Sequence, residues 1–192
     1  MISVSERKII TICNGELAVS REPAVVLSAV LGSCVATCLY DPVARLGGMN
    51  HILLPGDAGA ATQSGRYGLF AMEALINAMM KDGAQKRRMR ARLFGGASTF
   101  DNALGIGAAN SDFALGFLSR EGIPVMETQI GGRHARRVRF CPSSGEASAT
   151  TATATASAPP DAPRPAQGRA KSSGATLGAL PRRGPNNVEF FE

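Results

Sequence analysis

Residues 31–55 read LGSCVATCLYDPVARLGGMNHILLP, and the folding of this stretch constrains everything around it. Two apolar runs, CVATCLYD over 34–41 and GGMNHILLP over 47–55, are separated by Asp41-Pro42 and lead up to or away from glycines. They predict two neighbouring strands joined by the connection DPVARLG. Cys34 and His51 then sit at or near the ends of adjacent strands. The chain has four cysteines (13, 34, 38 and 141) and two histidines, so this pairing gathers much of its nucleophilic chemistry in one place.

Upstream, RKIITI (7–12) and ELAVS (16–20) are β-like and are joined through Cys13 and Asn14-Gly15, a pair that predicts a hairpin. AVVLSAVL (24–31) is a further strand, bounded by Pro23 and Gly32. Downstream the period changes. From Arg66, the residues Leu69, Met72, Leu75/Ile76 and Met79/Met80 recur at helical spacing as far as Gly83. The methionines read as core filler on a helix face and not as a cofactor box. KRRMRARLFGGA (86–97) runs from a basic turn into a short strand. Ser111 is placed to cap a second helix over 112–121, with Phe113, Phe117 and Leu118 inward. PVMETQI (124–130) and RRVRFC (136–141) form closing strands around Gly131-Gly132. Strands outnumber helices, and the first four lack intervening helices. The expectation is a single-domain, mixed-sheet α/β sandwich over residues 1–145, not a doubly wound parallel sheet.

Residues 146–187 are Ala, Thr, Ser and Pro with scattered arginines and no periodicity, a composition that predicts a disordered tail. At the end of that tail, 188–192 of NNVEFFE set Val188, Phe190 and Phe191 among acids, either as an arbitrary terminus or as a short docking motif. No run of eighteen apolar residues is present, which argues against membrane insertion. The start MISVSERKIITICNG carries charges where a signal peptide needs a continuous apolar core, so a cytoplasmic protein with reduced cysteines is expected. The formal charge is +6, with 16 basic against 11 acidic residues over 1–142. The basic run Lys86–Arg92 reads first as a solvated turn and second as a surface for an acidic partner. Few aromatics interleave with the basic residues, which argues against nucleic acid.

Cys34 and His51 admit three readings. A thiol next to an imidazole is a nucleophile, because the imidazole lifts the thiolate fraction and moves the proton. Gly32 and Ser33 suit a tight turn that exposes the sulfur and leaves backbone N–H groups free to face an oxyanion. Ser28 offers a hydroxyl to orient the imidazole. Alternatively Cys34, Cys38 and His51, with His134 or Cys141, hold zinc, although the second compact ligand pair of a structural site is missing. The third reading is a buried cysteine and a hydrogen-bonded core histidine. Cys38 and Cys141 are assigned to the core.

A set of ordered motifs bears on that choice. GSC leads into an apolar strand, YDP, a Gly-rich turn and then N-H-x-x-L-P. Tyr67 opens the long helix, and RLFGGA (92–97), IGAAN (106–110) and GGRHARRVRF (131–140) follow. From about Lys8 to Gly145 this order resembles the CheD family of chemoreceptor glutamine deamidases. The resemblance implies Cys34 as nucleophile and His51 as base. Ser28 stands where the family commonly has a threonine that orients the histidine. Gly32, Ser33, Gly95, Gly96 and Asn110 are then candidates for the substrate pocket or oxyanion donors. It also implies a fold similar to the cytotoxic necrotizing factor toxins and no cofactor or metal. The implied partners are methyl-accepting chemotaxis receptors as protein substrate and the phosphatase CheC as regulator. A monomer is expected. The rival expectations are a transglutaminase-like Cys–His enzyme and a non-catalytic adaptor that binds receptors or CheC.

Overall fold

The structure, a computed structural model, describes residues 7–54, 61–98, 105–152 and 189–191, with 61–65 and 189–191 as backbone only. Its centre is the hairpin expected from the quoted stretch. β4 (Val35–Asp41) and β5 (Leu46–Ile52) pair antiparallel, from Val35 opposite Ile52 to Asp41 opposite Leu46. Asp41 shapes the turn: its Oδ1 accepts the N–H groups of Val43 and Ala44 at 2.9 and 3.1 Å. All of β5 and nearly all of β4 are buried, which is why these strands read as continuous apolar runs without alternation.

Around this hairpin are β1 (Lys8–Thr11), β2 (Leu17–Ser20), β3 (Val25–Leu31), β6 (Arg90–Gly95), β7 (Val125–Ile130), β8 (Arg136–Cys141), β9 (Glu146–Thr151) and β10 (Glu189–Phe191). The helices are α1 (Ala61–Lys81) and α2 (Ile106–Arg120). A six-stranded sheet runs β10-β2-β5-β4-β6-β7 and a four-stranded sheet runs β1-β3-β8-β9. Only β1/β3 and β6/β7 are parallel; the other pairs are antiparallel. The result is the mixed-sheet α/β sandwich expected, in three layers. Leu27, Leu31, Met49, Phe94, Val138 and Phe140 fill the space between the sheets. Met72, Leu75, Met79, Phe117 and Leu118 seat the helices on the other face of the larger sheet. The apolar period from Arg66 did mark a helix face, except that Leu69 and Met80 stay exposed.

Four local expectations are corrected. β1 and β2 do not form a hairpin, since they belong to different sheets. The Asn14-Gly15 turn closes, with the Glu16 N–H donating to the Cys13 carbonyl at 3.0 Å. Beyond it the chain bonds to His51: Gly15 N–H donates to the His51 carbonyl and His51 N–H to the Glu16 carbonyl. α2 begins at Ile106 instead of 112, and Ser111 lies inside it with its hydroxyl donating to the Gly107 carbonyl. The folded part runs past 145, because β9 pairs with β8 through Thr151 and sets Ala147 and Ala149 against the inter-sheet core. Small alanines at alternate positions carry a weak strand signal, so composition hid it. Finally, Cys141 is only half-buried, whereas Cys38 is core. β10 lies on the β2 edge, Phe190 opposite Ala18; the rest of the expected tail, 153–188, lies outside the described residues, as does Pro55.

Candidate active site

Cys34 sits in the turn Gly32–Cys34 between β3 and β4, and His51 is the penultimate residue of β5. His51 is opposite Ala36 in the ladder. Cys34 is two residues from Ala36 and so projects from the same face, toward the four-stranded sheet, where it packs against the inter-sheet core. Diagonal neighbours of this kind are on the order of 7–8 Å apart. The thiol is half-buried and the imidazole buried.

The His51 ring is held at one nitrogen. Nδ1 lies 3.0 Å from the Ile12 carbonyl oxygen. A carbonyl only accepts, so the neutral ring carries its proton on Nδ1 and leaves Nε2 with a lone pair. Nε2 is buried and makes no hydrogen bond among the described residues. Burial pulls the His51 pKa below its ordinary value, opposed by the Ile12 hydrogen bond and the Glu16 charge. Burial pushes the Cys34 thiol up, partly offset by a bond from its own backbone N–H. No hydrogen bond joins the two side chains. Both shifts favour the uncharged forms at rest, against the raised thiolate fraction expected from an adjacent imidazole.

Ser28 does not orient His51. Its neighbours Leu27 and Ala29 point into the inter-sheet core, so strand alternation turns Ser28 to the opposite face. There its hydroxyl donates to the Val138 carbonyl at 2.9 Å. Ser28 acts on the histidine only through the backbone: its carbonyl accepts the Ile12 N–H at 2.8 Å, and the Ile12 carbonyl in turn holds Nδ1. A backbone oxygen leaves no side-chain signature, so the sequence pointed to the nearest hydroxyl instead.

The carbonyls of the Cys34 turn are held one after another by distant segments. Ala97 N–H donates to Gly32 at 2.8 Å, Asn110 Nδ2 to Ser33 at 2.9 Å and Gly96 N–H to Cys34 at 2.7 Å. The Gly96 amide is thereby engaged, and Asn110 spends its Oδ1 and one of its two Nδ2 hydrogens on backbone groups. Among the described residues no backbone carbonyl takes the amides of Ser33 and Cys34, and the Cys34 N–H bonds only its own sulfur. Gly95 has φ of 110°, and a Cβ there would collide with the Cys34 carbonyl, so only glycine lets β6 approach the turn so closely. Gly107 does the same for α2, where a Cβ would strike the Gly96 carbonyl. Arg136, missed in the sequence reading, ties the two Gly-Gly turns: it donates to Gly95 at 2.8 Å and Gly131 at 2.6 Å. A cavity of about 320 Å³ lies between Gly96, Gly131, Gly132 and the first turn of α2, lined also by Ser98 and Asp112. Cys34 and His51 do not line it; Gly96 is common to the cavity and the Cys34 turn.

The zinc alternative finds no assembled ligand set, since no group of three or more His, Cys, Asp or Glu among the described residues is placed to share an ion. No helix among them is long and apolar enough to cross a membrane.

A family model described as CheD chemotactic sensory transduction matches residues 53–151. A Rhizobium rhizogenes protein named "Probable chemoreceptor glutamine deamidase CheD" is 48% identical over 150 residues, 77% of this chain and 82% of its own. A protein of the same name from Acidiphilium cryptum is 45% identical over 186 residues, covering 95% of this chain and 93% of its own. The chain belongs to the CheD family. Among solved structures, a Neisseria meningitidis protein of family DUF152 aligns with a TM-score of 0.41 at 12% identity, over 61% of this chain and 53% of that one. In this CheD-family chain the spaced motifs now have physical reasons. The Gly-Gly of RLFGGA and the glycine of IGAAN permit backbone contact, the asparagine of IGAAN fastens the turn that carries Cys34, and Arg136 ties Gly95 to Gly131.

Proposed function

We propose that the protein deamidates glutamine side chains of chemotaxis receptors to glutamate, with Cys34 as nucleophile and His51 as base. The observation that carries this reading is the His51 ring: Nδ1 is fixed by a backbone carbonyl, and Nε2 is left buried and unbonded on the face it shares with a half-exposed thiol. Membership of the CheD family, whose relatives bear the deamidase name, supplies the substrate class.

Cys34 Sγ attacks the carboxamide carbon as its proton passes to His51 Nε2. The oxyanion that forms is met by the amides of Ser33 and Cys34. The imidazolium returns the proton to the nitrogen, the C–N bond breaks, and ammonia leaves a γ-glutamyl thioester. Nε2 then takes a proton from water, whose oxygen attacks the thioester. The C–S bond breaks, the imidazolium gives its proton to the departing sulfur, and glutamate leaves with thiol and neutral imidazole restored. No redox partner or bound cofactor enters this sequence. Neutrality of the Cys34–His51 pair at rest suits it, because an ion pair held in so buried a place would have to be stripped of water. A CheC-type phosphatase as regulator is part of the same proposal.

Incubation of the full chain with receptor cytoplasmic fragments should raise the mass of modified peptides by about one dalton per glutamine, as NH2 is replaced by OH. Cys34→Ala should abolish the gain. Persistent deamidation by that variant would overturn the assignment, and incorporation of an added primary amine in place of water would favour transglutamination.

A further inference from the structure

We infer that Asn110 is the positioning residue of the site: one buried amide that fixes the Cys34 turn to the exit of the His51 strand and aims the Cys34 N–H. The inference rests on the reading of Cys34 and His51 given above. Asn110 is 2% exposed. Its Oδ1 accepts the Leu54 N–H at 2.8 Å and its Nδ2 donates to the Ser33 carbonyl at 2.9 Å. The β4/β5 ladder stops at Val35 opposite Ile52. Cys34 lies just beyond that last rung and His51 one rung before it, paired with Ala36; past both, the Asn110 side chain spans the gap from Ser33 to Leu54. It replaces the missing rung.

The peptide group is planar, so fixing one end fixes the other. The Ser33 carbonyl and the Cys34 N–H belong to one peptide unit and point in opposite directions. Holding the carbonyl on Nδ2 therefore directs the Cys34 N–H away from α2. That N–H bonds the residue's own sulfur at rest and is one of the two amides offered to the oxyanion. The helix that carries Asn110 is itself set against the turn, since Gly107 packs on Gly96, whose N–H holds the Cys34 carbonyl. Asn110 follows Gly107 by three residues, so the contact and the amide lie on one helix face. Asparagine suits the place because its amide offers a donor and an acceptor on two separate atoms without charge.

The test uses the full chain with Asn110→Ala and Asn110→Asp. The alanine variant should lose about 30- to 100-fold in kcat with KM within about twofold, as expected for misplaced reacting groups. The aspartate variant keeps the acceptor for Leu54 and regains a donor only when protonated. Its kcat relative to wild type should rise as pH falls from 8 to 5.5, while that of the alanine variant stays flat. In both variants the pH midpoint for alkylation of Cys34, followed by peptide mapping, should move upward, a readout that needs no deamidase activity. If wild type alkylates as described but deamidates nothing, the functional reading fails and the positioning still stands. Variants that keep wild-type kcat and an unshifted alkylation midpoint, or whose loss merely tracks the unfolded fraction by circular dichroism, overturn the inference. Should the alanine variant not fold, the pH response of the near-isosteric aspartate decides alone.

Discussion

At Cys34 and His51, burial moves two pKa values apart in number and to the same end in chemistry: thiol raised, imidazole lowered, both neutral. Alkylation of Cys34 in the free protein should therefore be slow at neutral pH and climb to a midpoint above the ordinary thiol value of 9.0. His51→Gln should cut turnover by about 100-fold or more and leave that midpoint nearly in place, because no ion pair exists at rest to lose. Turnover itself should persist below the ordinary imidazole value of 6.5 and fall only as acid reaches the depressed value. The same sign holds for stability. A histidine whose folded pKa is lowered contributes fully above 6.5, and that contribution declines as pH falls through the window beneath. A bell-shaped rate profile whose acid limb sits above 6.5 would contradict this.

Between elements, the contacts that matter are backbone against backbone. β6 and α2 reach the Cys34 turn only because Gly95, Gly96 and Gly107 carry no side chains. Gly107→Ala should lower stability by roughly 2–3 kcal/mol, seen as a drop in thermal midpoint, and should impair Cys34 alkylation as α2 is pushed outward. A fully stable Gly107→Ala protein would show that α2 has room to move. The legibility of the sequence follows the same division. Buried strands β4 and β5, the α1 face and the placement of Cys34 and His51 at or near the ends of adjacent strands were readable because apolar runs, proline breaks and period are side-chain properties. The crossing of β1 and β2 into separate sheets was not, because an Asn-Gly turn specifies a reversal without naming the strand that receives it. Nor was the Ile12 carbonyl, since every residue has one. Ser28 misled for the converse reason: its hydroxyl is visible in sequence, while the face it points to depends on which neighbours enter the core.

Across the whole molecule, Asp41 fastens the β4/β5 hairpin to the segment before β6. It is fully buried and accepts the Gln85 N–H at 2.8 Å and the Arg88 guanidinium at 2.8 to 3.1 Å. Burial alone would raise its pKa, but the bonds from Arg88, Gln85, Ala44 and Val43 outweigh it and hold the value at about 2. The folded value is below the ordinary 3.8, so the stabilisation is complete above about pH 4 and disappears as pH falls toward 2. It amounts to about 2 kcal/mol. Urea midpoints measured at pH 5 and pH 2.5 should differ accordingly in wild type and much less in Asp41→Asn, which is weaker at both; equal pH sensitivity in the two would refute the assignment.

The strand Glu189–Phe191 rests on β2, and β2 rests on β5, so two strand spacings, about 10 Å, separate the last residues of the sequence from the strand that carries His51. A fluorophore or fusion attached there would not be a remote label. It would report substrate arrival by proximity, and it would risk unseating the strand that carries it.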